Sequence, residues 1–204
     1  MYRAISLGIL TVLAIIGMAW SASADTIYIT PATNPQWSGS ETSNAAVISA
    51  IEGICVGLFG PDGVCQEVYK SNVGGVEELA FQNSYETTFD PAVDPSGALI
   101  EYVDGPFITD PLFLLVKDGN STPGWYLFYI GAGDVLTPTG TFAGLNWDGV
   151  SDIELSGFWP STGAISHISL WGGEEGYYIP EPTSLLLLGT GLLGLGLAVW
   201  RRRS

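Results

Sequence analysis

The chain has 204 residues, with 21 acidic side chains against six lysines and arginines for a formal charge of −15, yet only 13% of it is charged and 47% is hydrophobic. Four of the cations sit near the ends, Arg3, Arg201, Arg202 and Arg203, so between Asp25 and Ile179 two lysines, Lys70 and Lys117, stand against 20 acids, a net −18. A body of that sign repels phosphate backbones, which argues against nucleic acid as a partner, and its aromatic and aliphatic content argues against disorder.

The chain opens with the three parts of a secretory signal over residues 1–24. Arg3 gives a positive start, Ile5–Trp20 an apolar run, and Ala22-Ser23-Ala24 a small-residue cleavage site before Asp25. Cleavage between Ala24 and Asp25 by signal peptidase, after passage through the general secretion machinery, is expected. An uncleaved membrane anchor is the alternative, although 16 apolar residues are few for a span.

Residues 25–179 form one exported domain, without repeats or linker-like tracts. Thr26–Thr30 alternates and is β-branched, as an opening strand should. Pro31–Ser43 is rich in turn formers. Val47, Ile48, Ile51, Ile54, Cys55 and Leu58 then recur at helical spacing, and Ser43-Asn44 supplies a cap, which predicts a helix over 44–57. Gly60-Pro61-Asp62-Gly63 is a turn. Strands are expected at Glu77–Phe89, Ala98–Val103, Leu112–Lys117, Trp125–Ile130, Asp152–Trp159 and Ala164–Trp171, with a hairpin loop over Lys117–Gly124. Trp125–Ile130 is apolar on both faces, the mark of a strand covered on both sides. The expected fold is mainly β, an antiparallel β-sandwich with one short N-terminal helix.

Residues 180–204 follow a different grammar. Pro180-Glu181-Pro182 precedes the uncharged run Ser184–Trp200 and the basic stop Arg201-Arg202-Arg203. Seventeen helical residues reach about 25 Å, enough for a thin bilayer core, so a C-terminal transmembrane helix is expected. The arginines would keep the tail cytoplasmic and leave the body outside. Thr190, Gly194 and Ala198 make a small-residue row able to pair helices, or reflect ordinary glycine and alanine use in a membrane segment.

In motif order, spacing and terminal position this tail resembles the PEP-CTERM sorting signal of Gram-negative bacteria. The resemblance implies recognition by an exosortase, a membrane-embedded cysteine transpeptidase-like enzyme, with cleavage close to Pro180-Glu181-Pro182. It also implies a transient anchor in the inner membrane, then a cell-surface or matrix location in a host that makes exopolysaccharide. A generic tail anchor needs only the apolar run and flanking charge. The body resembles one uncharacterised PEP-CTERM subgroup through Val116-Lys117-Asp118-Gly119-Asn120, Trp125-Tyr126-Leu127-Phe128, Gly157-Phe158-Trp159-Pro160 and Gly163-Ala164-Ile165-Ser166-His167-Ile168-Ser169-Leu170. That likeness adds no catalytic residue.

Cys55 and Cys65 flank the turn at 60–63 and, in an oxidising compartment, point to a disulfide; a metal site would need more soft ligands than a chain with one histidine offers. His167 has no nucleophile motif such as G-x-S-x-G around it, so a histidine hydrogen-bonded within a sheet is expected. Glu77-Glu78 and Glu174-Glu175 are neighbours that point to opposite faces of a strand, which makes them poor acid/base couples. Asp62, Asp104, Asp118 and Asp148 each precede glycine and offer weak support for calcium, with no D-x-D-x-D-G loop. Trp37, Trp125, Trp147, Trp159 and Trp171 either stack on sugar rings or fill a β core.

The function expected from these features is that of an exported structural or interaction protein associated with exopolysaccharide, without enzymatic activity and without an obligatory cofactor. A carbohydrate-binding module and a glycan hydrolase are the rival readings.

Overall fold

The computed structural model describes residues 26–34, 36–60, 65–109, 112–118, 121–137, 140–172 and 174–177. Along the chain run β1 (Thr26–Ile29), β2 (Gln36–Gly39), the helix α1 (Asn44–Phe59), β3 (Gln66–Asn72), β4 (Glu77–Glu78), β5 (Tyr85–Asp90), β6 (Gly97–Tyr102) and β7 (Pro106–Thr109). Then come β8 (Phe113–Lys117), β9 (Trp125–Tyr129), β10 (Asp134–Thr137), β11 (Gly140–Ala143), β12 (Asp152–Leu155), β13 (His167–Gly172) and β14 (Glu174–Tyr177).

Two sheets share a core. Six strands lie in the order β2-β9-β8-β13-β3-β4 and four in the order β1-β12-β6-β5; β10-β11 and β14-β7 make two further ribbons. Side-chain alternation divides each central strand between two environments. Leu114 and Val116 of β8, Phe128 of β9, and Ile168 and Leu170 of β13 face the four-stranded sheet, where they meet Ile29, Ile100, Ile153 and Leu155. Phe113 and Leu115, Trp125 and Leu127, and Trp171 face the other way, onto Val47, Ile51 and Cys55 of α1. The six-stranded sheet is therefore covered on both faces, and all five residues of β8 are buried.

Local chemistry sets the ends of α1. Ser43 lies in extended backbone, and its hydroxyl accepts the Ala46 N–H at 3.3 Å. Gly60, at φ 82°, takes the left-handed region that a side chain disfavours, and its N–H returns to the Val56 carbonyl at 2.9 Å. The helix buries the stripe Val47, Ile51 and Cys55, spaced by four residues.

The mainly β fold with one helix agrees with expectation, and α1 runs two residues beyond the predicted 57. Several strands differ. Glu77–Phe89 is two strands, because Leu79 adopts φ 77° and the chain turns, with Gln82 N–H on Leu79 C=O and Ser84 N–H on Phe81 C=O. The halves edge different sheets, so this turn carries the chain across the sandwich. The strand expected to Trp159 stops at Leu155, and Gly157 and Trp159 take positive φ. The strand expected from Ala164 starts at His167. β2, β3, β7, the β10-β11 ribbon and β14 were not expected. Nor is the pairing all antiparallel, since β1 runs parallel to β12.

One hydroxyl ties the edge strand β5 to β7 and to the loop before β12. Tyr85 Oη donates to the Gly149 carbonyl at 2.7 Å and accepts the Ile108 N–H at 3.0 Å, with all three residues buried. Burial pushes the phenol well above its ordinary pKa, which keeps it protonated as the donor. Tyr85→Phe deletes this bridge and leaves two buried backbone groups short of a partner. Stability should fall by about 1–3 kcal/mol, lowering Tm by about 2–4 °C per kcal/mol. Thermal unfolding is the check, and an unchanged Tm would contradict the bridging role.

Candidate functional site

Cys55 in the last third of α1 and Cys65, just before β3, form a disulfide with Cα atoms 6.1 Å apart. Cys55 is buried in the layer between helix and sheet, so the bond fastens the helix to the sheet it covers. Closing a loop of this length, with a sequence separation of 10, contributes about 2–3 kcal/mol in the chain-entropy account.

His167 opens β13 and lies opposite Lys117 on one side and Asn72 on the other. It is 7% exposed, and its Nδ1 meets Ser166 Oγ at 3.4 Å. That hydroxyl donates to the Lys117 carbonyl at 2.9 Å, so it serves the sheet rather than the ring. Burial, then the charges of Lys70 and Lys117, pull the imidazole pKa down to about 3. Lys117 is 4% exposed; burial draws its ammonium below the ordinary value, Asp118 works against that, and Lys70 adds to it. In sequence Lys117 is the edge of a hairpin loop, and nothing there shows that both body lysines converge on the one histidine. Strand register was the missing information, although the scarcity of cations was legible.

The two segments quoted above around Lys117 and His167 touch. A Cβ on Gly163 would collide with the Asp118 carboxylate and the Ser121 hydroxyl, so any side chain there would have to displace both. The Ser166 N–H then bonds the Lys117 carbonyl at 2.7 Å and brings the chain into β13.

The carboxylates are dispersed. Glu77 and Glu78 point to opposite sides, as expected: Glu77 Oε1 takes Ser71 Oγ and the Thr87 N–H, both at 3.4 Å, while Glu78 takes Asn72 Nδ2 at 2.9 Å. Glu174 and Glu175 pair through their backbones with Thr109 and Ile108. The Asp-Gly steps build turns. Asp104 accepts the Gly105 N–H at 2.7 Å, and Asp148 accepts those of Val150 and Ser151 at 3.0 and 2.7 Å. For Asp148 burial raises the pKa, but these hydrogen bonds outweigh it and hold the carboxyl below its ordinary value. Asp118 is buried, and Asp62 lies outside the described residues. Among the described residues no three histidines, cysteines or acids gather in a metal-binding group.

The aromatics fill the core. Trp125, Trp147, Trp159 and Trp171 are buried, and their indole N–H groups bond Glu41 Oε2, Ser151 O, Pro123 O and Ser169 Oγ. Tyr126, Phe128, Phe158 and Trp159 form one ring cluster, with centroids 5.4–6.2 Å apart. Of the five body tryptophans only Trp37 is half-exposed; it lines an apolar groove of about 500 Å³ with Gly53, Ile54, Gly57, Leu58 and Leu136.

The sorting elements Pro180, Glu181 and Pro182, the stop Arg201, Arg202 and Arg203, and the Ala24/Asp25 junction lie outside the described residues, as does the expected span at 184–200. Among the described residues no helix is long and apolar enough to cross a membrane. Residues 179–203 match the family model for the PEP-CTERM protein-sorting motif. No curated protein and no solved structure matches the chain. The chain thus carries an exosortase sorting signal at its C-terminus, and it is an exported protein of the cell envelope or surface.

The lowered histidine pKa has a measurable consequence. An unfolded histidine binds its proton near pH 6.5, the folded His167 only near 3, so between those values the unfolded chain holds more protons. This component therefore stabilises fully above about pH 6.5 and is lost as pH falls, by up to about 1.4 kcal/mol per unit. His167→Gln should flatten the decline measured by chemical denaturation between about pH 6.5 and 4.5. Equal declines in variant and parent would contradict a neutral buried His167.

Proposed function

We propose that the protein is a non-catalytic structural or interaction component of the exopolysaccharide matrix of a Gram-negative host. It is exported by the general secretion route, cut by signal peptidase at Ala24/Asp25, held briefly in the inner membrane by its C-terminal helix, and released to the surface by exosortase. The single observation that carries this reading is the sorting motif over residues 179–203. The charge of the body supports the matrix role. Twenty acids against two lysines repel acidic polymers at low salt, and divalent cations reverse that by bridging carboxylates, since calcium takes oxygen ligands in flexible numbers.

A carbohydrate-binding role is the second reading, and it rests on Trp37, the half-exposed indole in the 500 Å³ groove beside α1. The other four tryptophans are committed to packing.

Exported protein recovered from the host should co-sediment with that host's exopolysaccharide in calcium and dissociate in chelator. Absent binding in calcium would sink the matrix role. Binding that survives chelation but is lost in Trp37→Ala would favour the second reading instead.

A further inference from the structure

Lys70 and Lys117 hold all the formal positive charge between Asp25 and Ile179, and the fold brings both to one place. Lys117 lies directly opposite His167, and Lys70 lies opposite Ser169, two residues further along β13. The pleat therefore puts the two lysines and the histidine on one side of the six-stranded sheet, the side that α1 covers. There they line a cavity of about 40 Å³ together with Glu67 and with Asn44 and Val47 of the first helical turn.

What these ammonium groups lack is an ion-paired carboxylate; the charge of the adjacent Asp118 only partly offsets the burial of Lys117. Lys117 is 4% exposed, and its Nζ contacts the carbonyl of the adjacent Asp118 at 3.4 Å. Among the described residues no carboxylate makes an ion pair with either lysine. Glu78, across the strand pair from Lys70, is engaged by Asn72 Nδ2. Glu67 lines the cavity as well. Burying an ammonium without an ion pair costs several kcal/mol. The N-terminal turn of α1 carries no acidic residue and adds the positive end of the helix dipole to the same space. Exposed Asn44 and half-buried Lys70 form the open side.

The volume matches about three water molecules, the size of a carboxylate or a small oxyanion and too little for a sugar ring. We propose that this cavity binds a small anionic group, a carboxylate or an oxyanion of similar size, between Lys70 and Lys117. His167, neutral at physiological pH, adds a hydrogen-bonding imidazole rather than a third charge. The site stands independently of the calcium-bridged matrix role, because it needs no metal and draws on different residues.

The test uses the full chain in detergent, with thermal unfolding read by tryptophan fluorescence at constant ionic strength and chloride as reference. Free glucuronate, polygalacturonate and inorganic phosphate are the probes. At least one should raise Tm saturably and shift the His167 ring resonances. Free glucuronate and polymer acting together identify a sugar carboxylate as the group bound; phosphate acting alone identifies a free oxyanion. Lys117→Met should weaken binding about tenfold or more, as removal of a charged partner does. Lys70→Gln, at the half-buried rim where the fold tolerates change, should do the same. Glu67→Gln should tighten binding by removing a competing carboxylate. The proposal fails if no probe raises Tm beyond chloride, or if Lys70→Gln responds as the parent does. It also fails if Glu67→Gln weakens binding, since Glu67 would then be part of the lysines' own balance of charge.

Discussion

Everything in this fold answers to a six-stranded sheet whose central strands are apolar on both faces. β8 exposes none of its five residues, and β9 and β13 carry large side chains to either side. Such a sheet must be covered twice. The four-stranded sheet covers one face through Ile29, Ile100, Ile153 and Leu155, and α1 covers the other through Val47, Ile51 and Cys55. Alone, α1 would be a weak helix: it has two interior glycines and no charged residue in either terminal turn. Its stability comes from the surface it covers and from the disulfide that holds it there.

Where that cover ends, the chemistry of the sheet changes. Along the helix-facing side of β13, Trp171 gives way to Ser169 and then His167, while β8 passes from Phe113 and Leu115 to Lys117. Ser169 Oγ accepts the Trp171 indole at 2.9 Å and makes the transition between apolar and polar ground. The result is an inversion of charge: the acids lie mostly outside, and the two lysines lie against the sheet. An acidic shell thus surrounds a pocket that holds both of the body's lysines.

Much of this was legible in the sequence, and the failures have physical causes. The helix could be read because Ser43 caps it and its apolar residues recur every three or four positions. β8 and β9 could be read because they are continuous apolar runs on either side of a turn-rich loop. β3 could not: Gln66-Glu67-Val68-Tyr69-Lys70-Ser71-Asn72 is polar because it passes beneath the limit of the helical cover, though Tyr69 and Ser71 are buried. Glu77–Phe89 looked like one strand because nothing in Leu79 announces a positive φ. The cysteine pair was visible from spacing and compartment. The convergence of Lys70, Lys117 and His167 was not, since it arises only from the register of three strands distant in sequence.

The functional account joins this body to a tail that addresses it. The body supplies a covalently fastened, acidic β fold, and the motif at residues 179–203 supplies the route to the surface. Intact-mass measurement of the exported protein from an exosortase-bearing host tests that union most directly. The account predicts molecules that begin at Asp25 and end close to Pro180-Glu181-Pro182. Retention of Arg201, Arg202 and Arg203 in most molecules would contradict it and make the C-terminal segment a permanent anchor.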